Sequence, residues 1–549
     1  MTTSSPSARG PEGAWLWGPV PDLLLGCGIG YAVFVAVFVG FDAAWAGGAA
    51  PVAIAFLGLA VNTPHYGATL KRVYEQAADR RRYVFFTVYV TLALALLLVA
   101  GLHVVWIGSA LITLYISWSP WHFAGQNYGL ALMFLRRRGV EVTPLAKRLL
   151  YTSFVCSFLL VLLLAHGPIQ ALGIFPVPSF EREVYGFLSL GLPELPTRIA
   201  IVATGLGYVA SLVGALAIFL RRARPALLAP ALCLVALQAM WFSVPAALAA
   251  TGRLTFTSFA LSSVWISFAH SLQYLWITSY YARRSDASLR VPGYLLRTLA
   301  WGSAVTVLPA LLLAPALLGT VSFHAGLAIL VFAVVNVHHF VLDGAIWKLR
   351  DGRVASVLLR DGGDLPPDTG ARSGFGRRVV YAVGAVCAGV AFAGLWENQF
   401  GVIAALERGD LSRVERATER LTWLGRESHA VHHELGRKYA AREDWERARS
   451  HFLRSLEIQP SPQGWYHLGL VRARTGDPTG ARQALDRALA LDPEHLASLA
   501  LLAQVSREQG DLASEREALE RATVLAPADH ELSARLVRAR HEASRREAP

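Results

Sequence analysis

Charge is scarce in this sequence. Only 16% of the 549 residues are Asp, Glu, Lys or Arg, against roughly 25% in soluble domains. That shortage excludes a single soluble globule, and 54% hydrophobic residues say why. Cysteine is nearly missing as well. Cys27, Cys156, Cys233 and Cys387 each fall inside an apolar run with no CxxC spacing. They read as small buried residues, which excludes a disulfide framework and a cysteine-based zinc site. The first residues, MTTSSPSARGPEGAW, lack the basic-then-apolar form of a cleaved secretion signal.

What is present is long apolar runs. A helix needs about 20 apolar residues to cross a bilayer. About eleven candidate spans fall near 21–41, 50–72, 83–103, 108–134, 148–167, 197–220, 226–249, 256–281, 297–317, 322–348 and 378–397. The expected fold class is therefore all-α: a polytopic transmembrane bundle over 21–398, after a cytoplasmic tail at 1–20. Beyond 399 the apolar runs stop and Arg, Glu and Ala take over, which marks a separate domain over 399–549.

The net charge of +12 invites a nucleic-acid reading. We reject it, because acids and bases cancel beyond 399 and the excess sits in short loops between spans. Alternate loops are strongly basic (Lys71/Arg72/Arg80–Arg82, Arg136–Arg138/Lys147/Arg148, Arg221/Arg222/Arg224, Arg283/Arg284/Arg290/Arg297, Lys348 through Arg378). The others hold little beyond Arg182, Arg198 and Arg253. This alternation predicts an inner-membrane protein with its N-terminus in the cytoplasm. An odd span count puts the C-terminal domain on the extracytoplasmic side. The outer loop 167–196 reads as a Pro-rich connector, and the inner loop 351–376 as a flexible linker without a phosphate-loop pattern.

The C-terminal domain repeats every 33–34 residues. Its clearest unit runs from Trp465 to Pro493, with Trp465, Leu468 and Gly469, then Gly476, then Ala481, Leu485 and Ala488. Leu435, Gly436, Tyr439, Ala448, Phe452 and Pro460 precede it in register; Leu502, Ala503, Gly510, Leu519, Ala522 and Pro527 follow. Over about 427–549 the sequence resembles the tetratricopeptide (TPR) family, which implies a helical solenoid that binds a protein or peptide partner. His429, His432 and His433 read as residues of a solvated helix, not a metal site.

Ionisable residues inside a membrane call for a functional account. Four spans carry a deep histidine: His65, His122, His270 and His339, the last beside His338. All four spans run from outside to inside, which places the rings in one layer. Asn62, Ser119, Ser267 and Asn336 stand three residues before them; Thr69, Gln126, Tyr274 and Asp343 stand four after. Such positions share a helix face, so each imidazole rides on a polar stripe that can orient it. The candidate metal ligands are His65, His122, His270, His338, His339 and Asp343. Asn62, Thr69, Gln126, Gln273, Tyr274 and Asn336 are their expected supports. Non-haem iron or another transition metal suits that donor set; bis-histidine haem is the lesser choice.

The segments PHYGAT and WHFAGQ are similar to histidine motifs of bacterial membrane carotene-cleaving dioxygenases, which implies iron held by His65 and His122. Two functions remain open. One is a metal-dependent oxidase or hydroxylase of a lipid or isoprenoid. The other is an envelope scaffold, assembly or transport factor that binds proteins through its repeats and catalyses nothing.

Overall fold

A computed structural model describes residues 15–40, 49–75, 77–167, 184–253, 256–286, 288–315, 317–348, 352–359 and 374–547. Most of the tail 1–20, of the outer loop 167–196 and of the linker 351–376 lies outside them. The chain forms two compact units that divide between Leu395 and Trp396, apart from a short stretch at 322–324 that groups with the second.

Every regular element described is helical. Among the described residues, seven helices are long and apolar enough to cross a membrane: Phe85–His103, Pro144–His166, Glu194–Arg222, Pro225–Ala250, Val291–Leu312, Phe323–Ile346 and Gly376–Glu407. They point to a multi-pass membrane protein. Glu194–Arg222 leaves Leu195, Ile199, Val202, Leu206 and Val213 exposed along its length. Lipid is the solvent in which such a face is stable.

The histidines sit on four helices. His65 is on α1 (Thr63–Glu75), His122 on α2 (Val105–Arg137) and His270 on α3 (Phe256–Ser285). Beside them run α4 (Val291–Leu312) and α5 (Ala328–Ile346), the latter with His339. Both α2 and α3 have the length of a span, yet neither is among the seven apolar helices. Their polar stripes, with His122, Gln126 and Asn127 on one and His270, Ser271 and Gln273 on the other, dilute the hydropathy that marks a crossing.

Glycine sets the position of α1. A Cβ on Gly67 would stand 1.7 Å from the Thr298 carbonyl oxygen, and one on Gly302 would stand 1.8 Å from that of Thr63. The backbones of α1 and α4 therefore touch, as small residues allow in membrane packing. Upstream of α1 the chain is wound as a π-helix over Gly58–Asn62. Such turns gather at functional sites.

The second unit is a helical stack: α6 (Leu411–Trp423), α7 (His429–Ala440), α8 (Trp445–Ile458), α9 (Pro462–Arg474), α10 (Pro478–Leu491), α11 (Leu496–Glu508), α12 (Leu512–Leu525) and α13 (His530–Glu547). Its period is written in the caps. Asp410, Asp444, Asp477 and Asp511 each accept a backbone N–H three residues on and start α6, α8, α10 and α12. Each follows a residue of positive φ: Gly409 at 72°, Glu443 at 60°, Gly476 at 82° and Gly510 at 77°. The core is the small and apolar set expected from the repeat, with Leu435, Ala448, Phe452, Leu468, Ala481, Leu485, Ala503 and Leu519 buried.

Candidate metal centre

The four deep histidines meet. One nitrogen from each of His65, His122, His270 and His339 lies within 4.8 Å of the others. The rings form a closed circuit: His65 to His270 at 4.9 Å between centroids, His270 to His122 at 4.9 Å, His122 to His339 at 5.0 Å and His339 back to His65 at 4.2 Å. Each ring stands edge-on to its neighbours, with interplanar angles of 71–87°. His65, His270 and His339 are buried, and His122 is 10% exposed. Phe340 stacks on His122 and Phe123 leans on His270, so apolar rings close the flanks.

Hydrogen bonding decides which nitrogen of two rings is bare. Oδ1 of Asp343 accepts from the Tyr274 hydroxyl at 2.7 Å and the Thr69 hydroxyl at 2.8 Å. Thr69 has one proton and gives it to Asp343. Its oxygen, 2.9 Å from Nδ1 of His339, must then accept from that nitrogen. Nε2 of His339 is left as a lone pair. The same reasoning holds at His65. Ser271 donates to Oδ1 of Asn62 at 2.8 Å, so its oxygen accepts from Nδ1 of His65 at 3.2 Å, and Nε2 of His65 is bare. Nε2 of His65, His122, His270 and His339 have no hydrogen-bond partner among the described residues. Oδ2 of Asp343 lies 3.4 Å from Nε2 of His339 and 3.9 Å from that of His122. The bare Nε2 atoms of His65 and His339 and the Asp343 oxygen share one buried site, where a bound cation, or a proton on Asp343, His122 or His270, offsets their mutual repulsion.

The remaining expected residues take several places. Thr69 and Tyr274 bond Asp343, Thr69 also meets His339, and Asn62 meets Ser271, which in turn meets His65. Gln126 donates to Gln273 and toward the His270 carbonyl, while Gln273 donates to the Gly26 carbonyl and Asn127. Both brace α2 against α3 without touching an imidazole nitrogen. Asn336 donates to the Phe332 carbonyl on its own helix. His338 is outside the group of four, with its Nε2 2.8 Å from the Thr91 hydroxyl. A cavity of about 30 Å³ adjoins both His338 and His339, with Tyr66, Thr69, Leu70, Val305 and Val335 completing its lining.

Three participants escaped sequence reasoning: Ser271, Phe123 and Phe340. Ser271 follows His270 directly but serves His65 on another helix, and no same-helix spacing announces that.

In the repeat unit, residues 433–495 and 466–530 match the tetratricopeptide repeat family. That match covers the C-terminal repeats alone and lends no support to a likeness with carotene-cleaving dioxygenases. No curated protein matches the chain.

Proposed function

We propose that this chain is a multi-pass membrane metalloprotein in which His65, His122, His270 and His339 hold one transition metal ion, with Asp343 as a fifth donor or its charge partner. The observation that carries the reading is the convergence of one nitrogen from each of four imidazoles within 4.8 Å, in rings whose Nε2 atoms find no hydrogen-bond partner among the described residues. Tetrahedral zinc with bonds of 2.0–2.1 Å would need roughly 3.4 Å between nitrogens, a small inward turn of the rings. An imidazole and carboxylate set suits non-haem iron equally. Haem fits poorly, because the circuit of rings occupies the plane a porphyrin needs.

Membrane topology extends the reading. The apolar runs are read as eleven spans, the alternation of basic loops puts the N-terminus in the cytoplasm, and the odd count then puts the repeats outside. A redox-active ion at this depth would supply oxidation or hydroxylation of a lipid or isoprenoid. The chain's own part is to set the Nε2 lone pairs of His65 and His339 through Ser271 and Thr69 and to hold charge at Asp343. The repeats would recruit a protein partner.

Metal analysis and X-ray absorption of detergent-purified protein test this. Near-stoichiometric metal with nitrogen ligands is expected in the wild type and its loss in the folded His65→Ala/His122→Ala/His270→Ala/His339→Ala variant. Absence of metal after metal-supplemented expression would leave the scaffold or transport reading, which the repeat match favours, and partner capture through the repeats would then be the measurement.

A further inference from the structure

The repeat unit holds a second pair of facing imidazoles. His432 lies on α7 and His451 on α8, with their Nδ1 atoms 3.0 Å apart. The outer nitrogen of each meets a carboxylate. Nε2 of His432 is 3.0 Å from Oε1 of Glu427, and Nε2 of His451 is 3.4 Å from Oε1 of Glu415 on α6.

Counting protons constrains this chain of four. Glu427 takes both arms of the Arg454 guanidinium, at 2.7 and 2.6 Å. Burial pushes its carboxyl up, but the bonds from His432 and Arg454 outweigh that and hold it at about 2. An ionised carboxylate only accepts, so Nε2 of His432 carries a hydrogen. Glu415 already accepts from the Tyr439 hydroxyl at 2.9 Å, and the Tyr439 ring lies flat on His451. Nε2 of His451 is its other donor. With both Nε2 atoms protonated, two neutral rings would aim bare Nδ1 lone pairs at each other. One added proton converts that repulsion into an N–H···N bond. A second would set two imidazolium rings in contact. Burial, and then the neighbouring His432, push His451 below its ordinary value, which opposes that second charge.

The groups facing the pair are Glu415 on α6, Glu427 before α7, Tyr439 on α7, and Arg447 and Arg454 on α8. Arg447 is occupied by Asp444 and the Tyr439 hydroxyl. Arg454 is shared between Glu427 and Glu457, so one proton on the imidazole pair adds positive charge between Glu415 and Glu427.

We propose that His432 and His451 share a single proton that joins α6, α7 and α8, so that the first hairpin of the repeats tightens or loosens with pH. Stability present in the one-proton state is lost as pH rises and removes that proton. It is lost again as pH falls and adds the second. The proposal does not rest on the membrane metal centre.

The test is backbone hydrogen exchange across 429–458 in the full-length protein in detergent, read by mass spectrometry from about pH 4.5 to about pH 9.5 and corrected for intrinsic exchange. Protection is expected to peak in the histidine range, roughly pH 5–8, and to fall about tenfold on each side, one pK unit's worth of coupling. His432→Gln and His451→Gln should flatten the profile, and His433→Gln should keep it. A flat wild-type profile overturns the proposal, as does a peaked one that survives in both variants. Protection that EDTA abolishes and zinc restores also overturns it, because the shared cation is then a metal. Should the variants misfold, the wild-type profile with and without EDTA decides alone.

Discussion

Asp343 stands one helical turn beyond His339, and its Oδ2 lies 3.4 Å from that histidine's Nε2. Its other oxygen is held by Thr69 and Tyr274, so the free one is aimed at the centre. Asp343→Asn keeps the shape and removes the charge. Metal affinity should fall about 10–100-fold, the usual range for such partners, in competition titrations against a chromophoric chelator. Unchanged affinity would mean that the carboxylate does not face the ion.

Gly67 makes a mechanical prediction. A valine there would drive a Cβ into the Thr298 carbonyl at 1.7 Å and force α1 from α4, carrying His65 with it. Overpacking of this kind costs about 1–3 kcal/mol or more. Thermal unfolding should shift down and bound metal should drop together. Gly125→Ala on α2 meets nothing within 4 Å among the described residues and should leave both readings at wild-type level.

Glu427 should dominate the acid limb of repeat stability. Its carboxyl is held at about 2 against an ordinary 4.5. A depressed carboxylate contributes stability that is complete above its unfolded value and disappears as pH falls toward the folded one. Wild-type helicity, followed by circular dichroism, should therefore decline between about pH 4.5 and about pH 2, and Glu427→Gln should start lower at neutral pH and lose that slope. A slope retained in the variant assigns it to other carboxylates.

Glu443 occupies, at φ 60°, the turn position that Gly409, Gly476 and Gly510 fill in the neighbouring repeats. A side chain in that region costs roughly 1–2 kcal/mol, of which glycine's greater chain entropy returns roughly 0.5–1. Glu443→Gly should stabilise the hairpin by about 0.5 kcal/mol, seen as slower hydrogen exchange at 441–448. Faster exchange would show that the glutamate is held there by something worth more than the strain.

The repeats were legible because their signals are local: caps, turn glycines and small core residues recur at 33–34. The histidines were legible for a related reason. A polar stripe at three- and four-residue spacing lies on one helix face whatever the tertiary structure, and four such stripes inside apolar runs had to find one another. His338 and His339 mark where this reasoning stops. Neighbours on a helix diverge by about 100°, so only one can face the centre. Which one depends on where Thr91 and Thr69 stand. Ser271 was hidden likewise, since its partner is on α1.

The π-turn at Gly58–Asn62 has a further meaning. It winds one more residue into its turn than an α-helix would, which rotates everything before it by about 100° relative to α1. The phase of Ala49–Leu57 is thereby uncoupled from the phase of His65. Mutation is free to retune the helix before Gly58 without dragging the imidazole off its axis. A one-residue deletion within 58–60 would be absorbed as a change of pitch instead of a broken site.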